Sequence, residues 1–158
     1  MTTKSPKHLL LRFSDTLLKS GDTITAHNQV IQHEGAVWFG KMGSPVSQHN
    51  MDILNDQVNQ GVITFVYLVK GNRKKSIAYR ARLIIASQTL PVMENHLVPP
   101  YYAELNIPQY VKFWVKLSEI IPIDMVELQK MQVSSSVLPI QETLAKSASG
   151  HFLVREVR

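Results

Sequence analysis

Both tryptophans of this chain stand close to lysine. Trp38 lies near the end of the apolar run Ala36-Val37-Trp38-Phe39, which passes at once into Gly40-Lys41 and a loop holding Ser44 and Ser47. Trp114 alternates with Lys112 and Lys116. A third aromatic group, Tyr101-Tyr102, follows two prolines. Flat rings beside cations are the side chains that bind a base and its phosphate, and one stacked base is worth roughly 1–3 kcal/mol. An apolar aromatic wall also suits a methylated or flipped base. Packing offers a plain alternative for both indoles: Trp38 can fill a core, and Trp114 can lie under a helix.

Charge points the same way. The chain of 158 residues carries a net charge of +5. No Asp or Glu occurs between Asp56 and Glu94, yet Lys70, Arg73, Lys74, Lys75, Arg80 and Arg82 fall inside that interval. Such a stretch reads either as a footprint for phosphates or as the solvated tip of a hairpin.

Other chemistries lack their residues. With no cysteine there are no disulfides, thiolates or cysteine metal sites. None of the six histidines forms a helical pair with an intervening Glu, and His27 and His33 read as surface or half-buried side chains. "GKMGS" has neither the order nor the spacing of a phosphate loop, and there is no nucleophile elbow. No cofactor or metal is expected. An enzyme, as a small nuclease or hydrolase, would have to rest on His49 or Asp52. A third reading is an adaptor that holds a peptide in the aromatic pocket.

The elements that must position these groups follow from period and punctuation. Hydrophobic residues make up 44% of the chain and charged residues 18%, enough for one buried core. No apolar run spans a bilayer, and Leu9–Leu11 is too short for a signal peptide, so an intracellular, cytoplasmic domain is expected. Strands are predicted over 8–13, 36–41, 62–69, 76–86, 111–118 and 149–157. Helices are predicted after Asp22 or Thr23, ending at Gly35, and after Ser47 or Asn50, ending at Gly61. Short helices are expected after Pro122 and Asp124, and over 139–148. Strand 76–86 puts Ile77, Tyr79, Ala81, Leu83 and Ile85 on one face, with Arg80 and Arg82 on the other. Residues 87–110 hold four prolines without a clean period and read as a long functional loop. Nothing signals a linker or repeat, so residues 1–158 are taken as a single domain.

In order, "GAVWFGKMGSP", the helix "NMDILNDQVNQG", "VITFVYLV", a basic turn, "SIAYRARL", the long loop and "YVKFWVKLSEI" resemble the YTH and EVE domains of the PUA-like superfamily, over roughly residues 24–120. The helix "TAHNQVIQHEG" is more similar to the prokaryotic EVE-like branch. The resemblance implies an α/β (α+β) domain with a strongly curved, partly closed mixed sheet of five to six strands and helices packed outside. It implies non-catalytic recognition of a modified base, flipped from DNA in first choice or single-stranded in RNA, and a fused or associated effector nuclease in a restriction or phage-defence setting. Residue by residue, Trp38 matches the first cage residue, and Phe39 and Gly40 fall where backbone meets the base edge. Tyr101 or Tyr102 stands in for the second cage residue, with Met93 or Leu97 as apolar walls. Ser14 and Asp15 fall where polar contacts are placed. Lys41, Ser44, Lys74, Lys75, Arg80 and Arg82 are the expected phosphate contacts. Methyladenine, methylcytosine and hydroxymethylcytosine are all compatible with this cage.

Overall fold

The computed structural model describes residues 5–14, 22–43, 45–71, 76–133 and 151–156. Asp15, Ser44, Lys74, Lys75 and the helix expected over 139–148 lie outside the described residues. The chain runs β1 (Lys7–Phe13), α1 (Thr23–Glu34), β2 (Val37–Met42), α2 (Gln48–Asn59), β3 (Phe65–Gly71), β4 (Ser76–Ser87), α3 (Pro100–Glu104), β5 (Val111–Ile123), α4 (Met125–Gln129), β6 (Met131–Val133) and β7 (His151–Glu156). Two 3₁₀ turns, Val92–Leu97 and Ile107–Tyr110, flank α3.

The helix boundaries come from local chemistry. Asp22 caps α1 by accepting from the Thr25 amide at 2.6 Å, and Gly35 ends the helix at φ 85°. Ser47 caps α2 by accepting from the Asn50 amide. Asp124 does the same for α4 through Val126.

One mixed sheet has the order β2-β5-β4-β3-β1-β7-β6. Among the described strands only β1 and β3 pair in parallel, and α1, β2 and α2 form the crossover between them. It has seven strands rather than the expected five or six. The additional strand is β6, three residues long and too short to show a period.

The sheet curls without closing into a barrel. Three strands separate β2 from β1. In a flat sheet their axes would stand about 19 Å apart, four steps of roughly 4.8 Å. Yet the Phe13 and Phe39 rings lie 6.2 Å apart, and the Lys41 ammonium donates to the Arg12 carbonyl at 2.7 Å. The concave face holds the main core: Leu9 and Leu11 of β1, Val37 and Phe39 of β2, Leu68 of β3 and Val115 of β5, covered by α1 and α2. The opposite face carries a second cluster around Leu10, Tyr67 and Leu128, where α4 packs.

Two side-chain amides anchor α2. Gln57 accepts from the Lys7 amide at 2.8 Å and donates to the Lys7 carbonyl at 2.7 Å. Asn55 makes the same exchange with Ala86 of β4, at 2.8 and 2.9 Å. That second clamp follows a register shift between Leu83 and Ile85. The shift corrects the expected alternation: Ile85 is 42% exposed, and Ala86 is buried in its place. Ile77, on the same expected face, is also exposed, next to the hairpin turn. Asn55→Ala strands both backbone groups of Ala86 and is expected to cost about 1–3 kcal/mol. Chemical denaturation checks this; loss of less than about 0.5 kcal/mol would show that water replaces the clamp.

Candidate functional site

A cavity of about 120 Å³ lies where the ends of β1 and β2 approach without pairing. Arg12, Phe13 and Ser14 form one side, and Phe39, Gly40, Lys41 and Met42 another. Thr23 of α1, Tyr101 and Tyr102 of α3, and Ile107 complete it. Among the described residues, none that lines it is acidic. The volume is close to the roughly 150 Å³ of an apolar cavity that holds one benzene ring.

Lys41 projects on the concave side of β2, as Phe39 does two residues earlier. Its proton affinity is lowered, chiefly by burial and then by the like charge of Arg12. Two cations therefore share this wall of the cavity.

A buried chain of hydrogen bonds supports the other wall. The Gly40 amide donates to the Tyr102 hydroxyl at 3.1 Å, and that hydroxyl lies 2.9 Å from His27 Nε2. His27 Nδ1 lies 2.7 Å from the Thr23 carbonyl, which can only accept. The proton must then sit on Nδ1, so Nε2 accepts from Tyr102. Full burial pushes the His27 pKa down to about 4, which keeps the ring neutral at pH 7. Burial also holds the Tyr102 phenol well above its ordinary range. Every polar atom of this chain has a fixed sense, and the chain ties α1, β2 and α3 together. Tyr102 also covers part of the free edge of β2, because the Gly40 amide it accepts from points away from β5.

The structure brings together Phe39, Gly40, Lys41, Ser14 and both loop tyrosines. Tyr102 is 3% exposed with its hydroxyl engaged, whereas Tyr101 is half-buried, 4.8 Å ring to ring from it. Trp38 is elsewhere. It is 1% exposed and packs with Leu97, Tyr102, Ile107 and Trp114 on the opposite face of β2. This corrects the expectation that its indole walls the site: strand alternation sends Trp38 to one face and Phe39 to the other. Leu97 belongs to the same packing and does not line the cavity. Met93 is 87% exposed on its 3₁₀ turn and walls nothing. Gly40 does line the cavity, but packing also demands it. A Cβ there would stand 2.9 Å from Trp114 Cζ3 and 2.9 Å from Val111 Cγ2.

Arg80 and Arg82 are not at the cavity. They project from the convex face of β4, away from the core face that Phe13 and Phe39 share. Arg80 pairs with Glu127 at 3.4 Å and lies 4.7 Å from the Phe65 ring centroid; Arg82 is exposed. Lys116 pairs with Glu94 beside the Trp38 ring. His27 and Arg12 were absent from the expected site. His27 had a signal, since it falls three residues after Ile24 and four before Ile31, inside the apolar stripe of α1. Arg12 had none, because only the curl of the sheet carries it to Lys41. Among the described residues, no three His, Asp or Glu side chains gather as a metal site. None of the described helices is long and apolar enough to cross a membrane.

Two outcomes follow from this packing. Trp38→Ala removes a buried indole and is expected to cost about 3–5 kcal/mol of stability. Trp38→Phe should cost clearly less, because it also removes an Nε1 donor that lacks a partner among the described residues. Equal losses in denaturant titrations would contradict this. The second outcome concerns acid. His27 has a folded pKa below its unfolded value of 6.5, so the unfolded state binds more protons between pH 6.5 and about 4. Stability should therefore be full above pH 6.5 and fall as pH drops through that window, by on the order of 3 kcal/mol from this group. His27→Gln should flatten that part of the profile, measured by thermal unfolding across pH; an unchanged slope would assign the acid sensitivity to other groups.

No curated protein and no solved structure matches the chain at a significant level. A family model described as Pua-like matches residues 9–150, which include nearly every element described above. The mixed, curled sheet with helices packed on it fits that assignment. The chain therefore belongs to the PUA-like family, whose fold is one of nucleic-acid binding.

Proposed function

We propose that this domain is a non-catalytic nucleic-acid reader that takes one base into the cavity between β1, β2 and α3. The observation that carries the reading is the composition of that cavity: ring-sized, walled by Phe13, Phe39 and Tyr101, and bearing Arg12 and Lys41. An anionic chain with a flat apolar unit satisfies both features at once. A peptide with an aromatic side chain would fill the ring space but has no general need of two cations. A hydrolase would need a base or nucleophile at the cavity, and neither His49 nor Asp52 lines it.

The base is a modified one, flipped from DNA in the first instance, with single-stranded RNA as the alternative. A cavity with room for one ring holds the base while sugar and phosphates stay at the mouth. The stacking surfaces are Phe39 and Tyr101 rather than Trp38. Arg82 acts at a distance from the cavity, as a phosphate contact blind to sequence. A reader of this kind would supply the address for an associated effector nuclease.

Fluorescence anisotropy with oligonucleotides that each carry one modified base, at two salt concentrations, tests the reading. Binding should depend on the modification and weaken with salt. Tyr101→Ala should cost about 1–3 kcal/mol of binding to the preferred oligonucleotide, with thermal unfolding of the variant separating lost binding from lost fold. Arg82→Glu should weaken modified and unmodified strands alike and lower the salt slope by about one. Binding that ignores every modification, or that survives Tyr101→Ala unchanged, would remove the base from the cavity.

A further inference from the structure

We propose that His27 is the positioning residue of the cavity, resting on the reading of that cavity as a base site. Its unprotonated Nε2 orients the Tyr102 hydroxyl, which in turn holds Gly40 and Tyr101. Those three residues line the cavity, and His27 stands behind them. A proton on Nε2 therefore disturbs the wall around the base although His27 never meets the base.

One oxygen carries the arrangement. A phenol has one hydrogen to give and two lone pairs with which to accept. The Tyr102 hydrogen goes to His27 Nε2 at 2.9 Å, because the Thr23 carbonyl, 2.7 Å from Nδ1, keeps the ring proton on that nitrogen. One lone pair takes the Gly40 amide at 3.1 Å. The Tyr101 side chain is also hydrogen-bonded to Tyr102. With the Tyr102 hydrogen already given, the Tyr101 hydroxyl must be the donor. The Tyr102 oxygen is then at capacity, and bonds from α1, β2 and α3 converge on it.

Protonation overfills that oxygen. In an imidazolium both ring nitrogens are donors. Three donors would then face two lone pairs, and the Tyr102 hydrogen would lose its acceptor. Two of the three donors are held in place. The Gly40 amide belongs to the backbone of β2, and the His27 ring is fixed by Thr23 and lies 4.6 Å from the Phe39 ring. Tyr101 is only half-buried and is the group that yields. Its hydroxyl turns and accepts the Tyr102 hydrogen, so the sense of the chain reverses from His27 to the cavity wall. The titratable groups packed on the His27 ring are the phenols of Tyr101 and Tyr102 from α3, with ring centroids 6.2 and 5.5 Å away. β2 offers the uncharged Phe39 ring, and α1 the Thr23 carbonyl. Burial lowers the pKa of His27 to about 4, against the smaller upward pull of that carbonyl, so the wall is set at pH 7.

The full chain alone is tested first. Carbon and nitrogen NMR follows the His27 imidazole and the Tyr101 Cζ signal as the pH is lowered from 7. The Tyr101 signal should shift with the His27 midpoint in the wild type and be uncoupled from it in Tyr102→Phe. A Tyr101 signal that ignores the His27 titration, or that follows it equally in Tyr102→Phe, would overturn the positioning role. Binding is then read at pH 7 by anisotropy. The probes are thymine strands, single and duplex, with one central 5-methylcytosine, 5-hydroxymethylcytosine or N6-methyladenine, beside plain thymine strands. Tyr102→Phe and His27→Gln should each cut the preference for the favoured modified strand by about fivefold, as one lost hydrogen bond would. The double variant should lose no more than either single one, since both break the same bond, and the salt slope should stay as in the wild type. Thermal unfolding identifies any variant that has lost its fold, and the wild-type NMR profile decides without it. Additive losses or an unchanged preference would overturn the role of His27 and leave the reader intact. A wild type that prefers none of the modified strands would overturn the reader and this inference with it.

Discussion

The curl of the sheet is the constraint on which the rest of the site depends. β1 and β2 are three strands apart in the sheet order, yet Lys41 reaches the Arg12 carbonyl and Phe13 meets Phe39. Sheets twist and coil because of strand chirality, and a bulge strengthens the bend. Register shifts between β4 and β5, and at the end of β2, fall in the strands that link the two edges of the cavity. The ends of β1 and β2 come close enough for side chains to touch but form no ladder. That gap is the cavity. A closed barrel would have filled it with backbone pairing, and a flat sheet would have left two unrelated surfaces.

Around the gap the protein uses polar contacts of fixed direction. Gly40, Tyr102, His27 and Thr23 form one buried chain in which every donor has an acceptor. A network of this kind holds its members in a single geometry, because any misalignment leaves a polar atom unpaired in an apolar setting. It positions α3 over the free edge of β2 and so sets where Tyr101 stands. The indoles, the most conspicuous aromatic residues of the chain, do a different job. Trp38 and Trp114 pack beneath the segment 97–107 and hold it against the convex face. Phe13, Phe39 and Tyr101 line the cavity.

Electrostatics divides the molecule in the same way. The cations of the hairpin, Arg80 and Arg82, occupy the convex face, and Arg80 is matched by Glu127 and by the Phe65 ring. The cations Arg12 and Lys41 stand together at the cavity. Burial, and after it the like charge of Arg12, lowers the proton affinity of Lys41.

Much of the local structure was legible in the residues themselves. Asp22, Ser47 and Asp124 capped the helices that their positions announced, and Gly35 ended α1. The apolar runs became β1 to β5 and β7, because alternation and β-branching report burial within a few residues. The resemblance to PUA-like domains pointed to the same superfamily as the family match over residues 9–150. Phe39, Gly40, Lys41, Tyr101 and Tyr102 line one cavity, since motif order brings them to the end of one strand and one loop. What the chain could not disclose was which face each residue would use and which distant strand would meet it. Trp38 and Phe39 are adjacent and both aromatic; only the packing of segment 97–107 on one side and of α1 and α2 on the other decides that Trp38 joins the first and Phe39 the main core beside the cavity. Arg12 and Lys41 are separated by β5, β4 and β3 in the sheet, and their meeting comes from the accumulated bend of five strands. Composition and spacing act over a few residues and determine the elements. The site is set by curvature, a property of the whole sheet that no short stretch of sequence contains.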